Sequence, residues 1–171
     1  MNCTIKGLVG GAAGLAMMQL AHAAMKPLVK RARSKRAEPG RSISLVGDHH
    51  RRDEGATDAL GRIAYTTITH REPGERTKAA LSWAVHLAYG LAMASLYGAV
   101  RGRPLRASHA VGSGALFALG LWLVGDELAV PLLGLADKPT AYPAIRHVDS
   151  LVAHLAYGIT TATTANTLLS R

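Results

Sequence analysis

Cysteine is nearly missing from this chain. Cys3 is the only one among 171 residues, which excludes an internal disulfide and any multi-cysteine metal cluster. Acidic residues are scarce too, with 11 Asp and Glu against 20 Lys and Arg and a formal charge of +9. Such a balance suits nucleic acid, anionic lipid or the cytoplasmic face of a membrane. No catalytic constellation stands out either. There is no Ser in a G-x-S-x-G setting, no P-loop, and His49-His50 lacks ligand spacing. These absences point away from an enzyme. The largest deficit is of charge itself, over four long runs.

Those runs are Gly7–Met25, Ala79–Val100, Ala107–Gly125 and Leu151–Ser170. Each is about the length a helix needs to cross a bilayer's hydrocarbon core, roughly 20 residues. None alternates with the period of two that a barrel strand requires. Inside lipid, backbone polar groups must be paired within the segment, so helix is the expected state. A soluble bundle would need charged outer faces, which these runs do not have. The mean hydropathy of the whole chain is only +0.13, because the charges are gathered between the runs. An "AHA" ending at Ala23 resembles a signal-peptidase site, but the basic cluster that follows favours a retained helix.

The expected fold is therefore all-α: a polytopic membrane protein with four transmembrane helices in two similar hairpins, plus a short interfacial helix. Residues 1–29 form the first span. Residues 30–78 form a basic connection that opens as a mobile linker and carries an amphipathic helix over 56–69, with Ala56, Leu60, Ile63 and Ile68 near one face. Residues 79–171 hold the other three spans and an interfacial loop over 126–146, where Pro131 is expected to stop the helix. The positive-inside rule places the long connection in the cytoplasm and both termini outside. Lys30, Arg31, Arg33, Lys35 and Arg36 are the residues expected to meet anionic lipid. A lipid role is simpler than a nucleic-acid role beside a membrane helix, so no nucleic-acid partner is expected.

The pentapeptide HLAYG occurs twice, at His86–Gly90 and His154–Gly158. Aligning the copies sets Ser82, His86, Gly90, Ala94 and Gly98 beside Ser150, His154, Gly158, Ala162 and Asn166. Every fourth residue is small or polar, which makes one stripe along a helix. The first and third spans echo each other at Gly10 and Gly114, and at Pro27 and Pro131. Two hairpins of two helices make a parallel duplication, because an even number of crossings preserves orientation. Close backbone approach at Gly and Ala holds membrane helices together where hydrophobicity does not.

Three roles are open for these patches. His86, Tyr89, Gly90, Ala94, Gly98, His154, Tyr157 and Gly158 form a helix-packing and polar core in the plainest reading. His22, His86, Asp126, Glu127 and His154 line a proton or solute path in the second, since ionisable groups inside membranes often mark such routes. In the third, His86 and His154 are axial haem ligands. Asp126 and Glu127 are expected to mark the water interface at the end of the third span, or to pair with His22, Arg146 or His147. No metal or cofactor is required by the first two readings.

The order of these motifs resembles the YagU-like bacterial inner-membrane proteins. The elements are Ala56-Thr57, His86 with Tyr89-Gly90, Tyr97-Gly98, Asp126-Glu127 with Pro131, Pro139 with Tyr142-Pro143, and His154 with Tyr157-Gly158. The resemblance implies an inner-membrane location and a helical architecture, but no particular activity. The expected function is a non-catalytic membrane component, an accessory subunit or a bundle that assembles with its own copies or within a larger membrane complex. A small transporter or proton-conducting bundle is the alternative, and a bis-His haem protein the second.

Overall fold

The computed structural model describes residues 2–32, 42–51 and 54–170, and every regular element among them is a helix. Helix α1 runs Cys3–Ala32, α2 Ala56–Thr69, α3 Glu75–Arg101 and α4 Ala107–Gly120. From α4 the chain passes into a π-helical stretch, Leu121–Ala129, and on into the short α5, Val130–Leu132. A 3-10 turn at Pro139–Ala141 leads to α6, Ala144–Leu169.

Three stretches are long and apolar enough to cross a membrane: Cys3–Arg31, Glu75–Arg101 and Ala107–Leu132. In the second and third, only 11% of the most apolar window is buried within the protein. Leu96, Val100, Leu116 and Leu123 stand on the outside. α6 is 26 residues long but less apolar, with five Thr and an Asn in its second half. It is also the most enclosed helix, burying Ala153, His154, Tyr157, Gly158, Thr161, Ala162 and Ala165.

The described residues divide into two compact units. The first holds α1, α3 from Gly90 onward, α4 with the π-helical stretch as far as Leu123, and the chain from Pro143. Small residues set its packing. Gly7 meets Gly98, Gly11 meets Ala94, and Leu15 covers Gly90, so α1 and α3 run antiparallel. The other flank of the α1 ridge serves α6, with Gly10 against Thr161 and Ala165 and Gly14 against Tyr157 and Thr161. Gly158 and Gly114 bring α6 and α4 together in the same antiparallel sense. Phe117 of α4 lies between Tyr97 of α3 and Tyr157 of α6, with ring centroids 4.9 and 6.0 Å away. Leu15, Met18, Ala94, Ala153 and Tyr157 form the core.

The second unit holds the described residues from 42 to Tyr89, and Val124–Tyr142. Helix α2 begins where the Asp58 carboxylate accepts the Gly55 N–H at 3.1 Å, and ends at His70 in a left-handed conformation with φ 55°. It packs on α3 where Gly61 admits Leu81 and the Thr57 and Ser82 hydroxyls meet at 2.8 Å. Ala59 and Arg62 are buried, whereas Leu60 and Ile68 are exposed.

Two expectations need correction here. Residues 42–51 are not a loose tether. The N–H groups of His49 and His50 donate to the Gly134 carbonyl at 2.8 and 2.9 Å, and that of Leu45 to the Leu132 carbonyl at 2.9 Å. Gly134 is needed there twice over, because its φ is 66° and a side chain would strike the Gly47 carbonyl. Second, residues 126–132 are helical, so the interfacial loop assigned to 126–146 begins a full turn or more later. Pro131 is the last residue but one of its helical stretch, which ends at Leu132, while Pro27 lies inside α1 and removes one backbone donor there.

Candidate functional site

The two pentapeptides occupy unlike surroundings. Tyr157 is 2% exposed, whereas Tyr89 is 49% exposed. The Tyr157 hydroxyl donates to the Gly90 carbonyl at 2.6 Å, which ties α6 directly to α3. Each copy thus supplies one partner of this bond, a phenol from the second and a glycine carbonyl from the first. Buried inside an apolar core, such a bond avoids the cost of an unpaired polar group.

The histidines differ as well. His154 is buried, and its Nδ1 lies 2.9 Å from the Ser150 backbone carbonyl. A carbonyl only accepts, so Nδ1 carries the hydrogen there. That assigns one ring nitrogen to local structure rather than to a ligand. His86, half-buried, stands edge-on to Trp83 with ring centroids 6.1 Å apart. Among the described residues no group of three or more His, Cys, Asp or Glu side chains is arranged to hold a metal ion.

Gly90, Ala94 and Gly98 are all buried against α1, and Gly158 and Ala162 against α4. The last position of the stripe separates the copies again. Gly98 admits the Cys3 carbonyl and Gly7, whereas Asn166 pairs with the backbone of Leu105. Its Oδ1 accepts the Leu105 N–H at 2.7 Å and its Nδ2 donates to the Leu105 carbonyl at 3.1 Å. This bidentate clamp fixes the connection between α3 and α4. The alignment marked Asn166 only as a polar member of the stripe.

His22 is brought to Asp149. Its Nδ1 lies 3.2 Å from both carboxylate oxygens, joining α1 to the first part of α6. Asp149 sits just outside the fourth charge-poor run, which is why a search confined to that run passes over it. At the opposite end of the same seam, Lys6 Nζ donates to the Leu168 carbonyl at 2.5 Å. Sixteen residues separate Lys6 from His22, roughly 24 Å along a helix. The two polar ties therefore bracket the apolar seam.

Asp126 and Glu127 lie within the π-helical stretch and not beyond the end of the third helix. A π turn takes in an extra residue and turns the side chains that follow it relative to an α-helix. Leu121–Ala129 is thus the place where the third apolar helix changes from plain packing to carboxylates. Trp122 contributes a buried indole Nε1 with no partner among the described residues.

The second unit contains a charge cluster that the sequence pattern did not mark. The Glu54 carboxylate, 1% exposed, accepts from Arg62 Nε at 2.8 Å, with Lys78 Nζ 3.5 Å away. Arg62 donates also to the His49 carbonyl at 2.6 Å. Hydrogen bonding from Arg62, with help from the Arg51 N–H and Lys78, lowers the Glu54 carboxyl to about 2 despite its burial. His50 Nδ1 is 3.3 Å from the Gly134 carbonyl and its Nε2 is 3.5 Å from Asp137. These groups explain why 42–51 and 54–55 are held in place. Their sequence signal is weak, since Glu54 and Arg62 are only two charges among many in a basic segment.

Lys30 and Arg31 stand on the last turn of α1, where cations complement the helix dipole. Arg33, Lys35 and Arg36 lie outside the described residues. Comparison with family models, curated proteins and solved structures finds no match to the chain.

Proposed function

We propose that the chain is a non-catalytic, multi-pass protein of a bacterial inner membrane, of the YagU-like kind, and that its bundle serves as an accessory or self-assembling membrane component. In this reading α1, α3, α4 with its continuation, and α6 all span, as two hairpins of like construction. The observation that carries it is the repeated seam. The stripe Gly90, Ala94, Gly98 faces the helix preceding it in the membrane, and Gly158 and Ala162 face theirs. α6 needs less apolarity than the others because its flanks are covered by α1 and α4 rather than by lipid. Leu60 and Ile68, exposed on α2, suit a helix lying at the interface on the cytoplasmic side.

Flotation with neutral phosphatidylcholine vesicles after an alkaline wash tests the membrane assignment; a chain left in the wash refutes it. A reporter fused after the last residue tests the outward terminus. The scaffold role predicts that proteoliposomes leak protons no faster than empty vesicles.

A second reading, a proton or solute path, is favoured by the His22–Asp149 pair between α1 and α6. It predicts measurable flux that falls in Asp149→Asn while the protein remains folded. Flux indistinguishable from empty vesicles removes this reading and keeps the first.

A further inference from the structure

We propose that the end of the first unit formed by Lys6, the α3–α4 connection and the last turns of α6 binds the phosphate of an anionic phospholipid. The inference rests on the membrane reading above and concerns a surface separate from the basic residues that follow α1.

A small, shallow cleft opens there, walled by Tyr97, Arg101, Arg103, Leu105, Asn166 and Leu169. Arg101 is held with its guanidinium carbon 6.0 Å from the centre of the Tyr97 ring. A guanidinium over an aromatic face keeps its in-plane donors for a phosphate. The amide of Asn166 is taken up by Leu105 on both sides, which fixes the connection carrying Arg103 and Arg106.

Charge selects the occupant. Arg101 and Arg103 wall the cleft, Arg106 follows Leu105 in the chain, Lys6 reaches the Leu168 carbonyl, and the segments 2–32, 97–125 and 151–170 contain no Asp or Glu. The nearest carboxylate along α6 is Asp149, 17 residues before Asn166 in sequence, or about 25 Å of helix. A concentration of cations at the edge of an apolar bundle matches the negative headgroup of a lipid whose tail lies in the surrounding hydrocarbon.

The test uses the full chain purified in a neutral detergent and supplemented with phosphatidylglycerol, phosphatidylcholine or inorganic phosphate. Thermal midpoint and native mass spectrometry are read together. Phosphatidylglycerol is expected to raise the midpoint and to remain bound, and the other two to do neither. Arg103→Gln, at an exposed side chain, should weaken phosphatidylglycerol binding about fivefold, and Arg101→Gln with Arg103→Gln further. Arg76→Gln, exposed at the start of α3, should leave it unchanged. The inference is overturned by equal retention of phosphatidylcholine, by phosphate reproducing the stabilisation, by binding that survives the double arginine variant, or by binding lost on changing Arg76. Flotation with phosphatidylcholine vesicles separates the two failures: a chain that floats and ignores phosphatidylglycerol sinks this inference alone.

Discussion

The repeated pentapeptide permits one substitution to be made twice, at corresponding positions, with unequal expected outcomes. A methyl group built at Gly158 lies 2.5 Å from the Gly114 carbonyl oxygen and 2.7 Å from the Ala118 Cβ. Both belong to α4, and neither can turn aside, so α4 must retreat by about 1 Å to restore ordinary contact. Overpacking of this kind costs roughly 1–3 kcal/mol, against which replacing a helical Gly by Ala returns up to ~1 kcal/mol. At Gly90 the nearest atoms all belong to the Leu15 side chain, the closest being Cδ2 at 2.7 Å. A leucine tip can rotate, so the helix gain and the repacking cost nearly cancel. Thermal unfolding in detergent, followed through Trp83 and Trp122, should show Gly158→Ala lowered by about 5 °C and Gly90→Ala within about 2 °C of the parent, at ~2–4 °C per kcal/mol. Equal losses at the two sites, or a larger loss at Gly90, would refute the reasoning that backbone contact distinguishes them.

Tyr157→Phe should cost about 1 kcal/mol by removing the bond to the Gly90 carbonyl, while Tyr89→Phe should cost less than half as much; a denaturant titration in mixed micelles compares them. Acid should loosen the second unit through Glu54. Its carboxyl is held at about 2 against an ordinary 4.5, so its contribution of about 3 kcal/mol is complete above pH 4.5 and vanishes as the pH falls through about 2. Hydrogen exchange of α2, corrected for the intrinsic pH dependence, should show protection lost over that window. In Glu54→Gln the protection should already be reduced at neutral pH, because Arg62 is left buried beside a neutral amide.

The helical class was legible because it depends on where charge is missing, and that is visible residue by residue. The stripe at every fourth position was legible for the same reason. The difference between the two copies was not, since HLAYG is identical in both and the partners supply the contrast: Leu15 on one side, Gly114 and Ala118 on the other. Reading Asp126 and Glu127 as the end of a helix assumed that carboxylates stop an apolar run, whereas the π-helical turns carry the backbone past them. The docking of 42–51 rests mainly on backbone N–H groups meeting the carbonyls of Leu132 and Gly134, and backbone bonds leave little trace in residue type. Asp149 and Asn166 were visible letters whose partners, His22 and Leu105, lie far away in the chain.

α6 is synthesised after both helices that flank it, and this has a consequence for assembly. Until it arrives, the grooves at Gly10, Gly14 and Gly114 face no protein at all. The closure joins residues more than a hundred positions apart along α1 and α6, and a chain ending before Tyr157 would lack the hydroxyl that reaches Gly90.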